Sequence, residues 1–121
     1  MHTQILVIED NRDNREILRD LLTSVGYTIH EATTGHQGVA AAATHRPDLI
    51  LMDIQLPDID GYEATRRIKA HPALRHIPII AVTSYALSGD DVKAFEAGCD
   101  GYVAKPFDPR TLLATLRTYL P

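Results

Sequence analysis

Short apolar runs alternate with segments of helical periodicity along the whole chain. The clearest runs comprise residues 5–8, 49–52, 79–82 and 102–104. Short runs rich in Ile, Leu and Val are typical of strands covered on both faces of a parallel sheet, and the helical segments between them supply the covering layers. A chain of 121 residues is the size of one domain. We therefore predict a single α/β domain over residues 1–121, built from five strand-helix units.

Capping residues mark the ends of several helical segments. Asn11 can cap a first helix that Gly26 would end. A weaker strand is predicted at residues 28–32, followed by an Ala-rich helix over residues 35–45. The first helix is expected to bury a stripe formed by Ile17, Leu18, Leu21, Leu22 and Val25.

The second half of the chain repeats this arrangement. A helix over residues 61–70 follows the third strand, and Ser88 can cap a helix after the fourth strand. Asp108 can cap the last helix, which has Pro109 at its first position. The inward positions expected in these helices are Tyr62, Ala64, Thr65, Ile68, Leu112, Leu113, Leu116 and Leu120.

Composition excludes several classes of protein. The formal net charge is -4, from 12 Lys and Arg against 16 Asp and Glu, which argues against direct binding of nucleic acid. No apolar run approaches the roughly 20 residues that a membrane-spanning helix requires. Cys99 is the single cysteine, so no intrachain disulfide can form, and no signal peptide is evident. We therefore expect a cytoplasmic protein that does not bind membranes.

Polar side chains stand where the predicted strands end. Glu9 and Asp10 follow the first strand, Asp53 closes the third, and Thr83 and Lys105 follow the fourth and fifth. In an open parallel α/β sheet, ligands bind beyond the carboxyl ends of the strands. Three carboxylates close together would repel one another unless a cation neutralised them, and Mg²⁺ prefers such oxygen ligands. The strand ends therefore predict a magnesium site.

The remaining strand-end groups suit a phosphoryl group. Thr83 can donate a hydroxyl hydrogen bond and Lys105 supplies a compact positive charge. Asp53 is the best candidate nucleophile, because a carboxylate can accept a phosphoryl group as an acyl phosphate. Glu9 and Asp10 would then hold the metal. The Lys105–Pro106 peptide is a candidate cis bond, since a sharp turn there would aim the lysine inward.

Four segments carry these residues in order. They are Ile8-Glu9-Asp10-Asn11, residues 51–57 continuing to Gly61, Val82-Thr83-Ser84, and residues 102–107. Together they resemble the receiver domain of bacterial response regulators, the phosphoacceptor module of two-component and phosphorelay signalling. The resemblance covers the whole chain. It implies a flavodoxin-like three-layer fold with five helices and a five-stranded parallel sheet in the order 2-1-3-4-5.

The resemblance also implies a phosphodonor and a metal. Asp53 would be phosphorylated by a phosphohistidine on a histidine kinase or a histidine phosphotransferase. Mg²⁺ would be bound by Asp10, Asp53 and the backbone carbonyl of Gln55. Glu9 would act directly or through water, because a glutamate stands where the family more often has an aspartate.

A switch and an output are implied in the same way. Thr83 and Lys105 would contact the phosphoryl group, and reorientation of Thr83 would be coupled to an inward swing of Tyr102. The face formed by the fourth helix, fifth strand and fifth helix would bind a downstream protein. We expect a regulator that assists its own phosphorylation and dephosphorylation rather than an enzyme. A bulky Tyr85 near the switch suggests slow loss of the phosphoryl group.

Three alternatives remain open. A haloacid-dehalogenase-type phosphatase would need an acid two residues after its nucleophile, where this chain has Gln55. A flavin or nucleotide binder would need glycines or hydroxyls in residues 11–15, which are absent. A receiver-like interaction module without phosphorylation is disfavoured by Asp53, Thr83 and Lys105.

Other polar residues receive structural interpretations. Asp48, Asp58 and Asp60 are interpreted as turn or capping residues near strand and helix ends. Arg12, Arg15 and Arg19 fall along one helix and are interpreted as a solvated face. The six histidines are scattered without metal-binding spacing.

Overall fold

The computed structural model describes residues 3–84 and 90–120. The strands are β1 (Gln4–Ile8), β2 (Thr28–Ala32), β3 (Leu49–Asp53), β4 (Ile79–Thr83) and β5 (Gly101–Ala104). The helices are α1 (Arg12–Ser24), α2 (Gly35–His45), α3 (Gly61–Ala70), α4 (Asp90–Ala97) and α5 (Pro109–Tyr119). The predicted alternation of strands and helices is therefore confirmed.

The five strands form one parallel sheet in the order β2-β1-β3-β4-β5. The predicted fold class and strand order are confirmed. The chain first moves outward from β1 to β2 and then returns to place β3 on the other side of β1. This reversal puts the carboxyl ends of β1 and β3 side by side at the switch point, where ligands bind in such sheets.

Successive strand residues face two separate cores, as the period of a strand requires. Ile8 and Met52 belong to the core beneath α2, α3 and α4, whereas Val7 and Leu51 belong to the core beneath α1 and α5. Both faces of the central strands are thus covered by helices. This burial explains why these strands are continuously apolar rather than alternating.

Most of the predicted capping and inward positions are observed. The side chains of Asn11 and Asp108 accept hydrogen bonds from backbone N–H groups in the first turns of α1 and α5. Gly26 follows α1 with a φ of 93°, a conformation that favours glycine. The predicted cap Ser88 and the bulky Tyr85 lie outside the described residues.

The inward stripe predicted for α1 is too wide. Leu18 and Leu22 are buried, but Ile17 is 54% exposed and Val25 is 40% exposed. Ile17 precedes Leu18 by one residue, which turns it about 100° around the helix and off the sheet. Val25 is the residue after the helix ends.

Every helix in the described parts of the chain is too short or too polar to traverse a bilayer.

Candidate functional site

The polar residues predicted at the strand ends lie at one edge of the sheet. Asp53 and Thr83 are the last residues of β3 and β4, and Glu9 directly follows β1. All three residues are almost fully buried. Buried polar groups are costly unless they are paired, so this edge is a site rather than part of the apolar core.

Glu9, Asp10 and Asp53 form an acidic cluster. Each offers a carboxylate oxygen, and these oxygens all lie within 4.8 Å of one another. Asp10 is exposed to solvent, whereas the other two carboxylates are buried. Three hard anionic oxygens around one point are the donor set that a small divalent cation prefers. The residues present therefore fit a Mg²⁺ ion.

The two buried carboxylates repel each other when no cation is bound. Burial, together with the hydrogen bond and the charge of Glu9, raises the pKa of Asp53 from 3.8 to about 8. Burial alone would also raise the pKa of Glu9, but hydrogen bonds with Asp53 and Lys105 lower it. This charge repulsion is the physical reason for the cluster to take up a cation.

Lys105 connects the two buried carboxylates. Its Nζ lies 2.9 Å from Glu9 Oε1 and 3.3 Å from Asp53 Oδ1. Burial alone would lower the pKa of Lys105, but the hydrogen bond to Glu9 and the two negative charges raise it. The Lys105–Pro106 peptide bond is cis. The backbone N–H of Lys105 donates to Thr83 O at 2.8 Å, which ties the exit of β5 to the end of β4.

Gln55 lies in the loop between β3 and α3. Its backbone N–H donates to Asp53 Oδ1 at 3.2 Å, so the loop turns back over the carboxylate. A cavity of about 290 Å³ opens above this point, lined by Glu9, Asp10, Asn11, Asn14, Asp53, Gln55, Ser84 and Lys105. The acidic cluster and Lys105 therefore face one shared space.

The loop that carries Gln55 is held from two sides. A Cβ atom on Gly61 would lie 2.4 Å from Asp53 O, so only glycine lets α3 begin this close to β3. Asp58 accepts hydrogen bonds from the N–H groups of Gly35 at 2.7 Å and His36 at 2.8 Å. Partial burial would raise the pKa of Asp58, but these two bonds hold it well below its usual range. Asp58 thus acts as a capping residue, as expected, but at the start of a helix that is distant in sequence.

Thr83 and Tyr102 lie on neighbouring strands. Tyr102 pairs in register with Ala81, two residues before Thr83 on β4. Its side chain is half-buried and packs against the core beneath α2, α3 and α4. Tyr102 therefore lies one strand away from Thr83, near the same end of the sheet.

Arg15 is a site residue that the sequence interpretation missed. Its Nη1 donates to the backbone carbonyls of Glu9 at 3.1 Å and Asp10 at 3.3 Å. The solvated-face interpretation holds for Arg12, whose side chain is 81% exposed, but it is wrong for Arg15, whose side chain is 19% exposed. The available signal was spacing, because an arginine one turn into a helix is long enough to reach back to the preceding loop.

A second cavity adjoins the acidic one. It measures about 470 Å³ and has a mostly apolar wall, formed by Asn14, Ile17, Ser84, Lys105, Pro106 and Phe107. Asn14, Ser84 and Lys105 line both cavities. Ile17, an exposed apolar residue of α1, belongs to this wall and so offers an apolar surface beside the site.

Comparisons with known proteins agree with this geometry. The sequence model of the response regulator receiver domain matches residues 5–117. The chain is 41% identical over 120 residues to the polar-differentiation response regulator DivK of Brucella anthropi, covering 99% of this chain and 98% of that protein. The chemotaxis protein CheY4 of Vibrio cholerae superposes with a TM-score of 0.93 at 27% identity, covering 99% of this chain and 100% of that chain.

A further solved structure bears on the acidic cluster. The receiver domain of the sensor histidine kinase PA1611 from Pseudomonas aeruginosa has a magnesium ion coordinated in its active-site cleft. It superposes with a TM-score of 0.92 at 41% identity, covering 98% of each chain.

Proposed function

The chain belongs to the response regulator receiver domain family, and from this premise we propose that Asp53 accepts a phosphoryl group from a phosphohistidine on a histidine kinase or histidine phosphotransferase. Members of this family are signalling switches rather than turnover enzymes. One observation carries the proposal: Asp53 is a buried carboxylate that faces a cavity, with the Lys105 ammonium group 3.3 Å away.

We infer that the acidic cluster holds Mg²⁺ during this reaction. Asp10, Asp53 and the backbone carbonyl of Gln55 would be its ligands, with Glu9 bound directly or through water. When bound, Mg²⁺ neutralises the cluster and withdraws negative charge from the phosphoryl oxygens. Burial, together with the hydrogen bond and the charge of Glu9, raises the pKa of Asp53 and supports this assignment, as does the magnesium ion in the PA1611 domain.

Side chains of this protein take part directly in the phosphoryl transfer. A carboxylate oxygen of Asp53 forms a bond to phosphorus while the P–N bond to the donor imidazole breaks, and the electron pair of that bond stays on the imidazole nitrogen. Lys105 exchanges its contact with Asp53 for a phosphoryl oxygen, and the Thr83 hydroxyl donates to another. The product is an acyl phosphate on Asp53. Gln55 has no carboxyl group to act as the acid that a dehalogenase-type phosphatase requires.

The phosphodonor would reach Asp53 from the side of the apolar cavity. The cavity lined by Ile17 and Phe107 adjoins Asp53 and shares Lys105 with the acidic cavity. An exposed apolar surface next to a charged site is typical of a surface that binds another protein. We assign this side of the molecule to the phosphodonor.

The output surface is a different one. Reorientation of Thr83 would draw Tyr102 inward and alter the face formed by α4, β5 and α5. Val92 and Phe95 lie one turn apart on α4, and both are more than half exposed. Apolar side chains on a helix face support the docking of a downstream protein there. Phosphorylation would then bias a two-state surface.

The experiment that tests the function uses a small donor. Wild-type protein treated with acetyl phosphate and Mg²⁺ is expected to gain one phosphoryl group by intact mass, whereas the Asp53→Asn variant gains none. Equal labelling of the variant would refute Asp53 as the acceptor.

A further inference from the structure

Asp10 differs from the other two acidic residues in how it is held. Lys105 contacts the carboxylate of Glu9, and the backbone N–H of Gln55 contacts that of Asp53. Within residues 3–84 and 90–120, no hydrogen bond or ion pair holds the Asp10 carboxylate, which is exposed to solvent. The position of this carboxylate therefore depends on its own backbone.

That backbone is held by Arg15. A single guanidinium nitrogen, Nη1, donates to the carbonyl oxygens of both Glu9 and Asp10. Nε of the same side chain lies 3.7 Å from the Glu31 carboxylate on β2. Arg15 is thus anchored to the sheet on one side and grips two consecutive peptide units on the other.

We propose that Arg15 is a positioning residue for the metal site, which sets the backbone of Glu9 and Asp10 so that the Asp10 carboxylate meets the cation. The proposal rests on the proposed function, since it takes Mg²⁺ as the ion and Asp10 as its ligand. Partners that orient metal ligands typically change metal affinity about 10- to 100-fold when they are removed.

The charge of Arg15 and its positioning contact predict opposite changes in metal affinity when Arg15 is replaced. As a cation near the acidic cluster, Arg15 disfavours a second cation, so loss of its charge alone would strengthen metal binding. Loss of a positioning contact would weaken it. The sign of the change therefore separates the two roles.

A comparison of Mg²⁺ with Ca²⁺ is a second way to distinguish the charge effect from the positioning effect. Mg²⁺ demands a near-octahedral arrangement of short bonds, whereas Ca²⁺ accepts longer bonds and irregular geometry. A change of charge affects two divalent ions alike. A displaced Asp10 carboxylate affects Mg²⁺ more than Ca²⁺.

Arg19 provides the matched control. It lies one turn further along α1, and its Nη1 lies 3.3 Å from Glu31 Oε2. Its side chain has no described contact with the carbonyls of Glu9 or Asp10. Arg19→Met therefore removes the same charge and an ion pair with the same glutamate, without touching the acidic loop.

The experiment measures Mg²⁺ and Ca²⁺ affinities by calorimetry for the wild type, Arg15→Met, Arg15→Lys and Arg19→Met. Both Arg15 variants are expected to bind Mg²⁺ about tenfold more weakly, with less than about threefold change for Ca²⁺. Arg19→Met is expected to match the wild type. Urea unfolding in chelator identifies the variants that fold, and Arg15→Lys, which retains the charge, decides the matter if Arg15→Met does not fold.

Three results would overturn the proposal. In the first, Arg15→Met binds Mg²⁺ as tightly as the wild type does. In the second, Arg15→Met loses affinity for Mg²⁺ and Ca²⁺ equally. In the third, Arg19→Met loses as much Mg²⁺ affinity as Arg15→Met does. Failure of the wild type itself to bind Mg²⁺ would overturn the proposed function as well, and so is distinguishable from failure of the role of Arg15 alone.

Discussion

Lys105 Nζ lies 3.3 Å from Asp53 Oδ1, although the two residues belong to strands that are not neighbours. Asp53 ends β3 and Lys105 follows β5, and β4 lies between these strands. The lysine crosses the end of β4 and also reaches Glu9 Oε1 at 2.9 Å. Two buried carboxylates therefore depend on one ammonium group. This arrangement offsets charge in the resting protein and places a cation where a phosphoryl oxygen would arrive.

Replacing Lys105 should affect both stability and chemistry. Lys105→Met leaves Glu9 and Asp53 without their cation, so the free energy of unfolding in chelator should fall by about 2 kcal/mol. The rate of phosphorylation by acetyl phosphate should fall at least about tenfold, because one donor to the phosphoryl oxygens is lost. Urea unfolding and intact-mass kinetics measure the two effects. Lys93→Met, at an exposed position on α4, is the control, and equal behaviour of the two variants would contradict the role of Lys105.

Stability without metal should depend on pH through Asp53. Its pKa is raised from 3.8 to about 8 in the folded protein, so the folded state binds this proton more tightly than the unfolded state does. The resulting stabilisation is fully present at low pH and is lost as the pH rises through about 8. Between pH 6 and pH 8, the free energy of unfolding of the wild type should fall by about 2 kcal/mol relative to Asp53→Asn.

Urea unfolding in chelator at several pH values measures this difference. The comparison with Asp53→Asn, whose amide binds no proton in this range, isolates the contribution of Asp53. Parallel pH curves for the two proteins would show that Asp53 does not hold the proton.

Ile17 should matter for a protein donor but not for a small one. Ile17→Ala removes apolar surface beside Asp53, so transfer from a histidine kinase that labels the wild type should slow about 5- to 10-fold, as for a contact worth roughly 1 kcal/mol. Phosphorylation by acetyl phosphate should be unchanged. Val25→Ala, at the other exposed apolar residue next to α1, should leave both rates unchanged. Equal slowing with both donors would place the effect in the chemistry instead.

Gly61 should tolerate no side chain. A Cβ atom there would lie 2.4 Å from Asp53 O and 2.7 Å from the Cα of Ile54, which are backbone atoms that cannot turn aside. Gly61→Ala should therefore lower the free energy of unfolding by about 2 to 3 kcal/mol. Gly26→Ala, where φ is 93° but nothing lies within 4 Å of the added Cβ, should cost about 1 kcal/mol. A smaller loss for Gly61→Ala than for Gly26→Ala would disprove the close approach of α3 to β3.

Local signals in the sequence predicted most of the fold. Asn11 and Asp108 were identified as caps because their contacts lie within three residues along the chain. The positions of Asp53 and Thr83 followed from the apolar runs that precede them. The order of the strands came from the family resemblance, which the match to residues 5–117 confirms.

Local signals in the sequence could not predict contacts between segments that are distant along the chain. Asp58 was interpreted as a turn or capping residue, but the sequence did not show that it caps a helix whose first residue lies 23 positions earlier. Two positions in α1 were misread although local signals were available. The angle between successive helix residues turns Ile17 off the sheet. The spacing of Arg15 from Glu9 and Asp10 lets it reach back to the acidic loop.

Locating the acyl phosphate in the chain tests directly whether Asp53 is the acceptor. Wild-type protein is incubated with acetyl phosphate and Mg²⁺ and then reduced with borohydride, which converts a phosphorylated aspartate to homoserine, and peptide mass spectrometry locates the change. We predict homoserine at position 53 alone, and only when Mg²⁺ is present. Homoserine at another aspartate, or an unmodified position 53 in protein that has gained a phosphoryl group, would contradict the claim that Asp53 is the acceptor.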